Sequence, residues 1–136
     1  MNDEMQGEVP ILDESHIVSV RKTTRDTATR LGFGLTDVTR IVTAASELAR
    51  NVFHYAGAGV MRWQSLEESG RIGIELVFED HGPGIANIAQ VMQEGYSTSG
   101  GLGMGLPGTK RLMDEMEIKS QVGQGTMVTV KKWHRK

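Results

Sequence analysis

The sequence predicts an α/β fold, a two-layer sandwich in which a mixed β-sheet is covered on one face by helices. Two observations are local: two pairs of alternating apolar runs form hairpins, and two N-terminal segments carry apolar residues at helical spacing. The third is their order, because strands lie towards both ends of the chain with helices between them. With 136 residues, the chain is long enough for one such domain and too short for two. We therefore expect a single domain over residues 1–136.

The composition narrows the classes of function. Hydrophobic residues make up 38% and charged residues 24% of the chain, as is typical of globular proteins. The formal net charge of −2 offers no polybasic surface, so we expect neither nucleic-acid nor membrane partners. The chain has no cysteine, which excludes disulfides and thiolate metal ligands. An acidic N-terminus without a following apolar run leads us to expect a cytoplasmic protein.

The N-terminal third predicts an edge strand and a packing helix. Residues 8–12 are apolar but interrupted by Pro10, which suits the edge of a sheet because proline cannot donate to a strand ladder. A polar residue at 13–15 caps the helix that follows, and Gly32 ends it. Its apolar residues lie near one face: Ile17, Val18, Val20, Ala28 and Leu31.

A second helix is capped by residues 35–37 and runs to about Tyr55. Opposite its apolar face lies a polar stripe, on which Glu47 and Asn51 are one turn apart. The stripe comprises Arg40, Thr43, Glu47, Arg50, Asn51 and His54. It is either a solvated outer face or, if another element covers it, part of a site.

The rest of the chain predicts two antiparallel hairpins with helices between them. The first hairpin pairs residues 60–66 with 71–80, and a tight bend at 81–85 precedes a short helix from 86 to about 93. A further helix starts at Gly105 or Leu106 and runs through Leu112, Met113 and Met116. The last strands, 118–122 and 126–133, flank a turn at 123–125.

A glycine-dense loop at residues 97–108 leads directly into that later helix. Glycines allow backbone N–H groups to approach an anion, and a helix start adds unpaired donors. The loop is therefore a candidate for phosphate binding; the alternative is a flexible turn.

Four features stand in a fixed order along the chain, and together they are specific. Glu47 and Asn51 lie on a helix, residues 80–85 follow a strand, 101–106 precede a helix, and 123–126 precede a strand. In this order they resemble the N, G1, G2 and G3 boxes of the GHKL superfamily, the ATP-binding domains of gyrase, Hsp90, histidine kinases and MutL. The resemblance spans residues 36–130 and implies a Bergerat-type ATP-binding fold.

Within that superfamily, residues 46–51, 95–103 and 105–114 are similar to the RsbT-like serine/threonine kinases of the stressosome, which are related to anti-sigma-factor kinases. This resemblance implies an ATP-dependent kinase that phosphorylates STAS-domain partners of the RsbS and RsbR type. It also implies a change of partner that activates a PP2C-type, RsbU-like phosphatase. The alternative is a nucleotide-responsive, partner-switching binding module with little catalysis.

The resemblance also assigns roles to residues. Asp80 would accept a hydrogen bond from the exocyclic amine of adenine, with support from Thr126. Asn51 would offer its amide oxygen to Mg²⁺. Glu47 would be the catalytic base, or alternatively a partner of the Mg²⁺ waters. The nucleotide-binding residues implied are Asn51, Asp80, Gly82, Gly84, Ile85, Gly100, Gly101, Leu102, Gly103, Met104, Gly105, Leu106 and Thr126.

One departure from the family concerns charge. In relatives, the glycine-dense loop acts as a lid over ATP and often carries an Arg or Lys that meets the γ-phosphate. In this chain, residues 95–105 contain neither. Arg50, Lys110 and Arg111 are candidate replacements, and each is alternatively solvated or directed at a partner protein. We therefore expect the lid to be completed by Mg²⁺, by a neighbouring helix or by a bound partner.

Overall fold

The computed structural model of the chain describes residues 5–93 and 105–135. The predicted loop residues Gly100, Gly101, Leu102, Gly103 and Met104 lie outside these ranges. The elements are β1 (Gln6–Ile11), α1 (Ser15–Arg30), α2 (Leu35–Ala56), β2 (Gly59–Glu68), β3 (Arg71–Asp80), α3 (Ile88–Val91), α4 (Leu106–Leu112), β4 (Glu115–Gln121) and β5 (Gly125–Arg135).

The five strands form one sheet in the order β1-β2-β3-β5-β4, and every neighbouring pair is antiparallel. The prediction of a mixed sheet was therefore wrong. β3 and β4 do run in the same direction, since each is antiparallel to β5. The β4–β5 hairpin inserts β5 between them, so that this parallel pair never shares a ladder.

The helices cover one face of the sheet, which confirms the predicted two-layer sandwich. α2 packs across β1, β2, β3 and β5, while α1 packs on α2 and β1, and α4 packs on α2. Alternation along β3 turns Leu76 and Phe78 into this core and leaves Glu75 and Glu79 on the opposite face. There Arg62 Nη2 lies 2.6 Å from Glu79 Oε1, so the uncovered face carries an ion pair.

The N-terminal elements confirm the predicted edge strand and both helices, with local corrections. β1 pairs with β2 alone among the described strands. In α1, Val18 is 68% exposed and does not join the buried face formed by Ile17, Val20 and Ala28. The N-cap of α2 is Gly34 rather than a residue at 35–37. No helix in the described part of the chain is long and apolar enough to cross a membrane.

The predicted end of α4 was wrong. The helix stops at Leu112, and Met116 belongs to β4, where it is paired with Val130. The backbone N–H of Asp114 already donates to Lys131 O at 2.9 Å. The spacing of Met113 and Met116 is compatible with a helix, but strand pairing across the β4–β5 hairpin determines the conformation of Met116.

Candidate functional site

A cavity opens between the second half of α2, the end of β3, the turn after it, the start of α4 and the start of β5. Its walls are largely apolar, with a few polar groups that converge on the same space, as in many small-molecule sites. Its lining consists of Leu48, Asn51, Val52, Tyr55, Phe78, Asp80, Pro83, Gly84, Ile85, Leu106, Thr126 and Val128. Each of the four sequence features therefore contributes at least one predicted residue to this cavity. The part of the glycine-dense loop at residues 100–104 lies outside the described residues.

Three polar side chains form a row across the sheet at one end of the cavity. Asp80 on β3 is the register partner of Thr126 on β5, and Thr126 is the partner of Ser120 on β4. Asp80 Oδ1 accepts a hydrogen bond from the Gly82 N–H at 2.9 Å. Asp80 also lines the cavity, where its carboxylate has a second oxygen that can accept a hydrogen bond from a ligand.

The turn after β3 is fastened to the β4–β5 hairpin. The Gly123 N–H donates to Pro83 O at 2.8 Å, and the Ile85 N–H donates to Ser120 Oγ at 2.7 Å. Gly84 has a φ of +79°, and a Cβ there would collide with the carbonyl of Gln121. This glycine is thus required by the close approach of turn and hairpin, whatever occupies the cavity.

Gly82 differs from Gly84 in its position. It lies beside the cavity and is not among the lining residues. A Cβ at Gly82 would lie 2.6 Å from the Cβ of Ala56, at the end of α2. Because glycine lacks a Cβ, the start of the turn can lie close to the helix that carries Asn51.

The polar stripe of α2 is partly covered. Arg40, Thr43 and His54 are exposed, whereas Glu47 and Asn51 are half-buried. Gly105, the N-cap of α4, has a φ of +61°, and a Cβ there would lie 2.8 Å from Glu47 Oε2. The start of α4 therefore covers Glu47, and the two alternatives for the stripe apply to different parts of it.

The candidate cationic groups Arg50, Lys110 and Arg111 lie on α2 and α4. Arg50 Nη1 lies 3.7 Å from Glu47 Oε1, and the Arg50 side chain is 43% exposed. Lys110 and Arg111, in the last turn of α4, are both exposed. At the start of α4, Thr109 Oγ1 donates a hydrogen bond to Gly105 O at 3.0 Å, and this bond stabilises the first turn of the helix.

The polar side chains of the cavity fit a magnesium ion whose ligands come mainly from a bound phosphate and from water. In the described ranges, no group of three or more His, Asp and Glu side chains is placed to hold a metal ion. Asn51, which lines the cavity, carries an amide oxygen of the kind that Mg²⁺ accepts. Mg²⁺ commonly takes one or two protein ligands and completes its shell with phosphates and water.

Besides apolar lining residues, two polar residues at the site were missed from the sequence. Tyr55 lines the cavity one turn after Asn51, and that spacing on α2 was a usable signal. Ser120 fastens the turn and lies next to Thr126. Counting back from Thr126 across the predicted turn at 123–125 would have paired the two hydroxyls.

The chain is similar to known families and proteins over most of its length. Residues 11–132 match the family model described as histidine kinase-like ATPase domain. The chain is 50% identical over 135 residues to the serine/threonine-protein kinase RsbT of Bacillus subtilis (strain 168), covering 99% of this chain and 100% of that protein. It is 32% identical over 104 residues to an anti-sigma F factor of Geobacillus sp. (strain WCH70), covering 71% and 70% of the two chains.

Solved structures share the fold. The RsbU and RsbW domains of a Mycobacterium tuberculosis protein match with a TM-score of 0.63 at 18% identity, over 96% of this chain and 32% of that longer chain. The catalytic domain of the histidine kinase ThkA matches with a TM-score of 0.55 at 14% identity, over 94% of this chain and 97% of that one. At these identities the likeness concerns the fold alone.

Proposed function

The chain belongs to the histidine kinase-like ATPase domain family and is a homologue of the serine/threonine-protein kinase RsbT, and from this premise we propose its substrates and the roles of its residues. It transfers the γ-phosphate of ATP to a serine or threonine of a STAS-domain protein of the RsbS or RsbR type. The observation that carries the proposal is that Asp80, Thr126 and Asn51 line the same cavity, with Glu47 one turn before Asn51 on α2.

The end of the cavity at Asp80 suits adenine. A carboxylate oxygen accepts a hydrogen bond from an exocyclic amine, which adenine carries at position 6 and guanine, with a 6-oxo group, does not. The apolar side chains of Val52, Phe78 and Ile85 line the same space and suit a flat ring. Adenine selection in this proposal therefore depends on a charged acceptor in an apolar slot.

The other end of the cavity suits the phosphates. Asn51 would hold Mg²⁺, which would neutralise phosphate charge, and the glycine-rich residues 100–106, of which the structure describes only 105 and 106, would bind the phosphate chain. Glu47, half-buried against Gly105, orients the substrate hydroxyl and accepts its proton. Phosphoryl transfer depends mainly on positioning and charge stabilisation, and these are the contributions that this set would make.

Partner exchange follows from the same premise. After phosphorylating its STAS-domain substrate, the chain binds an RsbU-like phosphatase of the PP2C type and activates it. The support is the 50% identity to RsbT over essentially the whole length of both chains.

The proposed activity is tested by incubating the protein with a cognate STAS-domain protein and Mg²⁺ with ATP labelled in the γ-phosphate. We expect label on a serine or threonine of the STAS-domain protein, located by mass spectrometry of its peptides. A stable complex of the two proteins with bound ATP and no transferred label would contradict the kinase.

A second candidate is a nucleotide-responsive binding module that exchanges partners with little catalysis. It is favoured by the charge distribution, since residues 95–105 contain no Lys or Arg and Arg50 is paired with Glu47. Under this candidate, Glu47→Ala leaves partner exchange and signalling intact. Loss of signalling by that variant, with partner binding preserved, would exclude it.

A further inference from the structure

Ser120 is the third member of the row that also contains Asp80 and Thr126, and its hydroxyl has three polar neighbours. The Ile85 N–H donates to Ser120 Oγ at 2.7 Å. Ser120 Oγ donates to Gly125 O at 3.0 Å. The Thr126 Oγ1 lies 2.8 Å from Ser120 Oγ, and this distance alone allows either hydroxyl to be the donor.

Counting hydrogens removes that ambiguity. A serine hydroxyl has one hydrogen and two lone pairs, and a backbone carbonyl accepts only. Ser120 therefore gives its hydrogen to Gly125 O and uses one lone pair for the Ile85 N–H. The remaining lone pair receives the hydrogen of Thr126. Thr126 then faces the cavity with acceptor lone pairs and no hydrogen to donate.

We propose that Ser120 is a positioning residue that sets the hydrogen-bond polarity of the base-binding end of the cavity. By taking the Thr126 hydrogen, it leaves Thr126 Oγ1 and Asp80 Oδ2 as two adjacent acceptors. Such a pair selects purine nucleotides with an amine at position 6 and rejects those with a carbonyl there. The inference rests on the proposed function, in which this end of the cavity holds the base.

Loss of the Ser120 hydroxyl has two separable consequences. The Ile85 N–H loses its acceptor, which loosens the turn and weakens binding of every nucleotide alike. Thr126 also regains a rotatable hydrogen, with which it can donate to a 6-oxo group. Only the second consequence changes the preference between a 6-amino and a 6-oxo purine.

The test measures the dissociation constants of ADP and IDP by calorimetry, because inosine carries the carbonyl where adenosine carries the amine. The variants are Ser120→Ala, Thr126→Val and the two combined. Ser65→Ala is the matched control. Ser65 lies on β2, away from the cavity, and its Oγ accepts a hydrogen bond from the Met5 N–H. We expect S120A to reduce the preference for ADP over IDP by about fivefold to tenfold. S65A leaves that preference unchanged.

The double variant separates positioning from loss of structure. If Ser120 acts through Thr126, adding S120A to T126V leaves the ADP/IDP preference where T126V alone puts it. An unchanged preference in S120A, or an effect that persists in the T126V background, overturns the inference while ADP binding by the wild type still supports the proposed function. Wild-type protein that does not bind ADP overturns both. If S120A does not fold, Ser120→Cys provides the same comparison with a weak donor and acceptor.

Discussion

The exchange Asp80→Asn isolates the charged acceptor of the proposed adenine site. Asparagine keeps an oxygen for the Gly82 N–H, now 2.9 Å from Asp80 Oδ1, so the turn is preserved. The amide NH₂ then takes the place of Oδ2 and meets the exocyclic amine donor with a donor. A hydrogen bond to a charged group contributes about 1.5–3 kcal/mol, so the affinity for ADP should fall about 10- to 150-fold.

Calorimetric titration with ADP measures this loss directly. Glu79→Gln is the matched control, because Glu79 is adjacent on β3 but bonds to Arg62 on the opposite face of the sheet. We expect E79Q to bind ADP as the wild type does, and thermal unfolding to show both variants folded. An unchanged affinity of folded D80N would refute the assignment of the adenine end of the cavity.

Three further predictions concern the frame of the site and its metal. Gly84→Ala should lower the free energy of unfolding by about 2–4 kcal/mol, because Gly84 has a φ of +79° and the new Cβ would meet the carbonyl of Gln121. Urea denaturation measures this loss, and a loss smaller than the error of the fit would contradict the prediction. Lys132→Met should cost about 2 kcal/mol, since the buried Lys132 Nζ donates to Leu112 O at 3.0 Å at the end of α4. Lys131→Met, on the other face, is its control, and equal losses in the two variants would count against a specific role for Lys132. Chelation of Mg²⁺ by EDTA should abolish phosphate transfer and excess Mg²⁺ should restore it; transfer that persists in EDTA would remove the metal from the proposal.

Local features were predictable from the sequence. β3 begins at Arg71 and ends at Asp80 as predicted, because a polar glycine turn precedes an alternating run and a tight bend follows it. The end of that strand fixes the position of Asp80. The shared position of Glu47 and Asn51 was equally predictable, because helical spacing alone puts them on one stripe of α2.

Features that depend on the assembled fold were not predictable in the same way. The strand order that places β5 between β3 and β4 is a choice between non-local pairings, which no local pattern records. Met116 satisfies both helical spacing and strand alternation, and only its pairing with Val130 decides between them. The covering of Glu47 by Gly105 joins residues far apart in the chain, so the sequence left the polar stripe with two interpretations.

The measurement that tests the central claim most directly is single-turnover phosphate transfer within a preformed complex of the protein, Mg²⁺, ATP and a STAS-domain partner. The wild type and Glu75→Gln, altered on the uncovered face of the sheet, should transfer phosphate to a serine or threonine at the same rate. Glu47→Gln should bind ATP and the partner normally and transfer phosphate about 100-fold or more slowly, as expected for loss of a general base. Transfer by E47Q at the wild-type rate would contradict the role of Glu47, and absence of transfer by the wild type would contradict the kinase itself.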